Sequence, residues 1–376
     1  MPLREKPLRI VSISDIHLGH LTTETASIIT NLRTYFLPKL AECDLLLVDG
    51  DVFDSGLGLS DADTGLIIAF FIELFILCDQ LGIIIRFVRG TFSHDRKQCE
   101  NLVVLHQKFK FTNSLRYFDT VSLEYIDELN LRMLYLPDDL PYKSADEVIA
   151  LAKSKMADMG WDTVDYACVH SYFDHHLPPD MPHKPKICYT AAQFEFVTRY
   201  VFCGHVHQGG QTGHILTNGS TDRLSHGDEG KKGFFYVVDD GEDALITHVE
   251  NKGAAIYATK DLCEHTDPQA AIQSFLEWAR SFPSDRMINL RAIHGSSEVR
   301  TVLGRIMLKE FPHVRYRQKV PSGAELEAAN PPPMNTTVHS TPTRDNLPEL
   351  ILNYHLAKGT EHTLTADAIG AILDNL

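Results

Sequence analysis

Aspartate and histidine residues recur in short clusters along this chain, and each cluster follows a run of apolar residues. In chain order the clustered residues are Asp15, His17, Asp51, Asp54, His94, Asp95, His170, His205 and His207. A set that mixes carboxylates with imidazoles suits divalent metal ions, and two such ions about 3.5–4 Å apart suit the hydrolysis of phosphate esters. The sequence therefore predicts a two-metal centre for phosphate-ester chemistry.

The apolar runs before these clusters predict the strands of an α/β fold. The predicted strands are 8–15, 45–51, 83–90, 166–171 and 200–204. Ligands of open α/β folds bind beyond the carboxyl ends of parallel strands, so side chains on several strand ends can converge there. Alternating strands and helices followed by a strand-rich half indicate two stacked mixed β-sheets flanked by helices. The closing strands of the second sheet are expected at 215–220, 233–240 and 244–251.

No single cluster is specific, but their order is. The order D-x-H, G-D-x-x-D, H-D, H and G-H-x-H resembles the calcineurin-like metallophosphoesterase superfamily. A further segment, NGSTDRLSHGDEGKKGFF at 218–235, resembles the G-S-x-x-R-L-S-x-G-E-x-x-x-K-G-F stretch of SbcD nucleases, the bacterial and phage relatives of the eukaryotic double-strand-break repair nuclease. The opening SDIHLGH at 14–20 is also similar to the SbcD form. The resemblance covers roughly residues 8–240.

The resemblance implies a four-layer αββα fold and a role for each clustered residue. It implies that Asp15, His17 and His207 bind the first metal, that Asp51 bridges both metals, and that His170 and His205 bind the second. It places His94 beside the scissile phosphate as general acid or charge stabiliser, oriented by Asp95 or Asp54. Because the ligands are carboxylates and imidazoles, we expect two Mn²⁺ ions, with Mg²⁺ as the alternative.

One segment departs from the family pattern. Where the family has G-N-H-D, with the Asn as a ligand of the second metal, this chain has GTFSHD at 90–95, which contains two extra residues. The Asn is replaced by Ser93 or Thr91, and a hydroxyl is a weaker ligand than an amide oxygen. Ser93 is our candidate ligand, with Thr91 as the other possibility.

Composition divides the chain into four parts. We expect a metallophosphoesterase domain at 1–262, a small basic α/β capping module at 263–321, a Pro-rich linker at 322–346 and C-terminal helices at 347–376. Residues 281–322 hold eight Lys or Arg and three acidic residues, a balance of +5 in a chain of formal net charge −15. That basic module either contacts phosphate groups or presents a solvated charged face.

The apolar stretch LIIAFFIELFILC at 66–78 predicts a helix buried on most of its circumference. Its thirteen residues include Glu73 and fall short of a membrane span, which needs about 20. The resemblance implies a homodimer built on helices at 61–79 and 96–109, and the alternative is a helix enclosed within the monomer. No signal-peptide pattern and no C-x-x-C pair among seven cysteines indicate a cytoplasmic protein with reduced thiols, in a bacterial cell or a phage-infected host.

The expected function is that of a metal-dependent DNA exonuclease and endonuclease subunit of an SbcCD-like recombination and repair complex. The apolar spacing of 347–376 predicts helices that dock on the SbcC-like coiled-coil ATPase implied by the resemblance, or else pack back onto this chain's own core. Two other functions stay open. One is a phosphodiesterase or phosphatase for small molecules, and the other is a DNA-binding subunit with a weakened second metal site.

Overall fold

The computed structural model describes residues 6–178, 181, 185–228 and 230–320. The strands are β1 (Leu8–Ile13), β2 (Leu45–Asp49), β3 (Ile84–Val88), β4 (Leu115–Phe118), β5 (Ser122–Ile126), β6 (Leu131–Leu136), β7 (Val164–His170), β8 (Tyr172–Phe173), β9 (Cys188–Tyr189), β10 (Val197–Gly204), β11 (Gly210–Thr212), β12 (Ile215–Thr217), β13 (Gly233–Asp239), β14 (Ala244–Glu250), β15 (Ile256–Asp261), β16 (Ile288–Ile293) and β17 (Val314–Lys319). The helices are α1 (Thr25–Asn31), α2 (Ala62–Leu81), α3 (Phe92–Asp95), α4 (Gln98–Lys108), α5 (Ala145–Asp158), α6 (Pro268–Arg280) and α7 (Ser297–Glu310). Helix α1 continues as a π turn over Leu32–Phe36 and a 3-10 turn over Leu37–Glu42.

Two six-stranded sheets form the body of the molecule. The first has the order β14-β13-β1-β2-β3-β4 and the second β11-β12-β10-β7-β6-β5. Strands β1, β2 and β3 run parallel, as do β7 and β10. The expectation that 233–250 would close the second sheet was wrong. Those residues form β13 and β14, and β13 pairs antiparallel with β1 in the first sheet. Periodicity identifies strands but does not specify their partners.

Alternating side chains of the central strands build two different cores. Leu45 and Leu47 of β2 point into the core between the two sheets, whereas Leu46 and Val48 point toward the outer helices. Every residue of β2 is buried, as expected for a parallel strand covered on both faces. Helices therefore lie outside each sheet, and the expected two stacked sheets flanked by helices are confirmed.

A buried ion pair joins the two sheets near one edge. Arg86 of β3 donates Nε–H and Nη2–H to the Glu124 carboxylate on β5, at 2.7 and 2.8 Å. The Tyr135 hydroxyl also donates to Glu124, at 2.8 Å. Because a buried charge is tolerated only when it is paired and hydrogen-bonded, this network fixes how β3 and β5 face each other.

Helix α2 is longer and less enclosed than the sequence analysis expected. It spans twenty residues, and it buries one face, which includes Phe70, Phe71 and Phe75, against the first sheet. The rest of its circumference is polar or exposed, so the expectation of burial on most of its circumference was wrong. By length and composition alone α2 could cross a membrane, and no other helix of the described ranges meets that criterion. A core helix of a globular domain meets it equally well, and α2 packs in this way.

The third sheet belongs to the small module near the end of the described chain. Its order is β15-β16-β17, all parallel, and α6 and α7 pack on one face. Strand β15 begins at Ile256, so the module's sheet starts before the boundary expected at 263. The expected linker at 322–346 and the helices expected at 347–376 lie outside the described residues.

Helix α2 exposes apolar side chains on its outer side, namely Leu66, Ile68, Ile76 and Leu81. We propose that a second copy of the chain covers them, because contiguous exposed apolar surface marks interaction sites and the SbcD resemblance implies dimerisation here. Ile76→Glu is then expected to convert a dimer into a monomer in light scattering. Leu245→Glu, on β14 and 67% exposed, is the control and should leave the mass unchanged. A wild-type protein that is monomeric at micromolar concentration would contradict the proposal.

Candidate metal centre

The clustered aspartates and histidines meet at the carboxyl edge of both sheets. Asp15 and His17 follow β1, Asp51 follows β2, and His170 is the last residue of β7. The remaining two imidazoles, His205 and His207, follow β10. Parallel strands end on the same side of a sheet, so their carboxyl ends bring residues from distant parts of the chain to one place.

The side chains form two groups of potential ligand atoms. One group is Asp15, His17 and His207, and the other is Asp51, His170 and His205, with the ligand atoms of each group within 4.8 Å of one another. A third, overlapping group joins His17 to Asp54 and His94. The structure thus brings together every residue that the sequence analysis assigned to a metal, except Ser93.

Asp51 lies between the two groups. Its Oδ2 atom is 3.4 Å from His170 Nε2 and 3.9 Å from His17 Nε2, so one carboxylate faces an imidazole of each group. Burial alone would raise the pKa of Asp51, but the charges of His170 and His17 more than offset it and hold that pKa well below its ordinary value. An ionised carboxylate between two imidazole sets is the arrangement needed to bridge two cations.

Each group also contains two imidazole nitrogens that point at each other. His17 Nε2 is 3.2 Å from His207 Nε2, and His170 Nε2 is 3.2 Å from His205 Nδ1. Two nitrogen lone pairs at that distance repel unless a proton or a cation lies between them. The donor set and its convergence therefore fit two divalent cations, one for each group.

Four of these residues have backbone conformations that side chains rarely adopt. Asp15, His17, Asp51 and His205 have φ angles of 50°, 52°, 49° and 88°. Such strain persists only where the surroundings enforce it, and it concentrates at functional sites. Here the loops after β1 and β2 enforce it together, because His17 N–H donates to the Asp51 carbonyl at 3.1 Å.

Close contacts between these loops require glycine. Gly50 has a φ of 87°, and a Cβ atom on it would overlap the His170 ring. A Cβ atom on Gly90 would overlap the Asp51 backbone nitrogen. The glycines that precede the aspartate and histidine clusters therefore allow the strand ends to approach closely enough to share ligands.

Asp95 holds the loops together and does not contact His94. Its carboxylate is fully buried and accepts three backbone N–H bonds, from Asp51 at 3.1 Å, Phe53 at 3.1 Å and Gly90 at 2.8 Å. Burial, and then the nearby Asp51 charge, raise the pKa of Asp95 to about 6. The structure therefore corrects the expected orienting role, because the Asp95 carboxylate positions the Asp51 backbone instead.

Asp54 contributes to two histidines by different atoms. Its backbone carbonyl accepts the Nδ1–H of His94 at 2.6 Å, which fixes the orientation of that ring. Its carboxylate Oδ1 lies 3.2 Å from His17 Nδ1, an ion-pair distance without the alignment of a hydrogen bond. The expected link from Asp54 to His94 thus exists, but the backbone makes it and the side chain faces a candidate ligand.

Two further supports of the candidate ligands were not identified from the sequence. His170 Nδ1 donates to the Asp49 carbonyl at 2.6 Å, and His207 Nδ1 lies 3.2 Å from Asp228 Oδ1. Buried Lys232 donates to the His207 carbonyl at 2.8 Å and lies 3.6 Å from Asp228. Groups that hold the far nitrogen of a ligating imidazole set its tautomer and orientation. Asp228 and Lys232 belong to the 218–235 segment that carried the SbcD resemblance, which was the available signal.

Of the two hydroxyls proposed to replace the family's Asn, Thr91 lies at the second group. Thr91 Oγ1 is 3.3 Å from both Asp51 Oδ2 and His205 Nδ1, and the Thr91 N–H donates to Asp51 Oδ1 at 2.6 Å. Ser93 is exposed on the four-residue helix α3. The choice of Ser93 is therefore corrected to Thr91, because the two extra residues carry Ser93 out of the site.

This geometry predicts that Thr91→Val weakens binding of one of two Mn²⁺ ions by roughly tenfold, the lower end of the loss typical when a ligand's supporting group is removed. Titration calorimetry with Mn²⁺ measures this as a weaker second binding step. Ser93→Ala is the matched control and should bind both ions as the wild type does. Equal binding by both variants, or a loss confined to Ser93→Ala, would contradict the assignment.

Comparison with known protein families agrees with this site. Residues 8–209 match the family described as calcineurin-like phosphoesterase, and the match covers more than half of the 376-residue chain. No curated protein matches the sequence. One solved crystal structure is similar at 11% identity and a TM-score of 0.38, with 65% of this chain and 100% of that chain covered. The chain belongs to the calcineurin-like phosphoesterase family of metal-dependent hydrolases, and Asp15, His17, Asp51, His170, His205 and His207 are its candidate ligands for divalent cations.

Proposed function

We propose that this protein is an SbcD-type DNA nuclease that hydrolyses phosphodiester bonds with two divalent metals. The observation that carries the proposal is that Asp51 lies between two ligand groups, with His94 held beside them. Bound Mn²⁺ or Mg²⁺ ions would acidify a water molecule and neutralise the charge that develops on the phosphate.

His94 is suited to proton transfer in this reaction. Its ring lies edge-on to His17 at a centroid distance of 4.9 Å, so it is next to the first ligand group. Because Nδ1–H donates to the Asp54 carbonyl, Nε2 is the atom that can hold a proton and deliver it to a leaving oxygen. No carboxylate oxygen is a hydrogen-bond partner of His94 within the described ranges, so the backbone alone sets its orientation.

The small module supports a polymeric substrate over a small one. Its Tyr257 hydroxyl is 2.7 Å from Thr23 Oγ1, and its Arg315 donates to the Leu21 carbonyl at 3.0 Å. These contacts fix the basic module to the loop that follows His17. A substrate that extends from the metal centre toward the module would therefore meet positive charge, as a DNA strand requires.

The proposal includes an SbcC-like ATPase as partner. The segment expected to dock on it, 347–376, lies outside the described residues. The argument for this partner therefore rests on the SbcD resemblance of 218–235 and on the apolar spacing of that segment. The nuclease assay should accordingly be run with and without such an ATPase.

The test is cleavage of linear duplex and single-stranded DNA by the full chain, with Mn²⁺ and with chelator. His94→Ala is expected to lower the cleavage rate at least about 100-fold, as for loss of a general acid, while two metals stay bound. Asp51→Ala should lose both cleavage and metal, because it removes the shared carboxylate. His313→Ala, an exposed histidine of the module, is the control and should match the wild type.

Two outcomes would reject parts of this account. If neither DNA form is cleaved in Mn²⁺, with or without the ATPase, the nuclease function is wrong. Hydrolysis of small phosphodiesters alone would then favour the small-molecule enzyme, and DNA binding without any hydrolysis would favour the DNA-binding subunit. If His94→Ala loses as much metal as Asp51→Ala, His94 is a ligand and its role as proton donor is wrong.

A further inference from the structure

The three-stranded sheet of the small module has one face that carries no helix. Ile288, Leu290 and Ala292 of β16 point into the core formed with α6 and α7. Successive side chains of a strand point to opposite faces, so Arg291 lies on the other face. Register then places Thr259 of β15 and Arg317 of β17 in the same row as Arg291.

That face is turned toward the metallophosphoesterase domain. Tyr257, two residues before Thr259 on β15, contacts the hydroxyls of Thr22 and Thr23. Thr259 Oγ1 itself is 3.1 Å from Nδ1 of His226, which lies in the loop between β12 and β13. The row that contains both arginines therefore borders a loop of the metallophosphoesterase domain.

Arg291 and Arg317 are an unusual pair. They are in-register neighbours on strands that are about 4.8 Å apart, and like charges placed directly opposite each other destabilise a sheet. Within the described ranges, neither guanidinium forms an ion pair with a carboxylate, whereas Arg315 on the same face pairs with Glu24 at 2.8 Å. The two positive charges are therefore adjacent and lack a counter-charge, which an anion between them would supply.

A cavity connects this row to the metal centre. It has a volume of about 490 Å³, and its lining includes Thr259, His226, Arg223 and Asp228. Asp228 is the carboxylate 3.2 Å from His207 Nδ1, so the cavity begins behind a candidate metal ligand. Burial, and then the charges of Arg291 and Arg317, lower the pKa of His226 to about 4. The positive field of the arginines therefore reaches the loop that lines the cavity.

We propose that Arg291 and Arg317 form a second phosphate subsite, which binds a phosphate group of the substrate other than the one that is cleaved. Guanidinium groups bind phosphate oxygens through paired N–H donors, and two of them side by side suit one phosphate. The subsite deepens the proposed function and rests on it. It selects a substrate with several phosphates along a strand, such as an oligonucleotide, over a compact monoester or diester.

Binding of a fluorescent oligothymidylate in EDTA tests the subsite without metal or catalysis. The double variant Arg291→Ala/Arg317→Ala is expected to bind roughly tenfold more weakly than the wild type. Its plot of log affinity against log salt concentration should be shallower by about 0.7 for each phosphate that the variant no longer binds. Arg305→Ala is the matched control, because it removes the same charge from α7, on the opposite side of the sheet.

A charge-preserving variant separates phosphate binding from a structural role. Arg291→Lys/Arg317→Lys should recover most of the affinity and the salt dependence. The subsite is wrong if the double alanine variant binds as Arg305→Ala does, or if the wild type does not bind the oligonucleotide at all.

Hydrolysis of bis(p-nitrophenyl) phosphate in Mn²⁺ gives the second readout, because this diester carries a single phosphate and cannot reach both sites. The double alanine variant should hydrolyse it with an unchanged kcat/KM. A parallel loss of this activity would show that the arginines support the metal centre, and would overturn the subsite. A wild type that binds the oligonucleotide with the expected dependence on both arginines but never cleaves DNA would support the subsite and reject the nuclease function.

Discussion

The carboxylate of Asp51 can face both ligand groups because another buried carboxylate fixes its backbone. Asp95 accepts N–H bonds from the loops after β2 and β3, and Asp51 N–H is one of its donors. The strained φ of Asp51 is therefore held from one side by Asp95 and from the other by the loop after β1. If this brace were absent, the two imidazole sets would lose their shared partner, and with it the basis for two adjacent cations.

The sheets determine where this brace can form. Leu45 and Leu47 of β2 pack in the core between the sheets, and the neighbouring residues pack under the outer helices, so β2 cannot shift without disrupting both cores. The Arg86–Glu124 pair adds a polar connection between the two sheets. Ligands from β1 and β2 in one sheet and from β7 and β10 in the other can meet only if that packing is fixed.

The positions of the strands and the convergence of the aspartate and histidine clusters could be predicted from the sequence, because both follow from local patterns. Which hydroxyl approaches the second group could not, since the choice between Thr91 and Ser93 depends on the path of a loop with two extra residues. The pairing of β13 with β1 and the one-sided burial of α2 are tertiary choices that periodicity does not specify. Asp228 was visible only as part of a family-like segment, and its position beside His207 required the fold.

The central claim is that Asp51 holds two divalent cations together. Crystals grown with Mn²⁺ and measured at the manganese absorption edge test it directly, because each ion gives an anomalous peak. The account predicts two peaks about 3.5–4 Å apart on either side of the Asp51 carboxylate, one beside His17 and His207 and the other beside His170 and His205. A single peak, or two peaks that do not share Asp51, would contradict it.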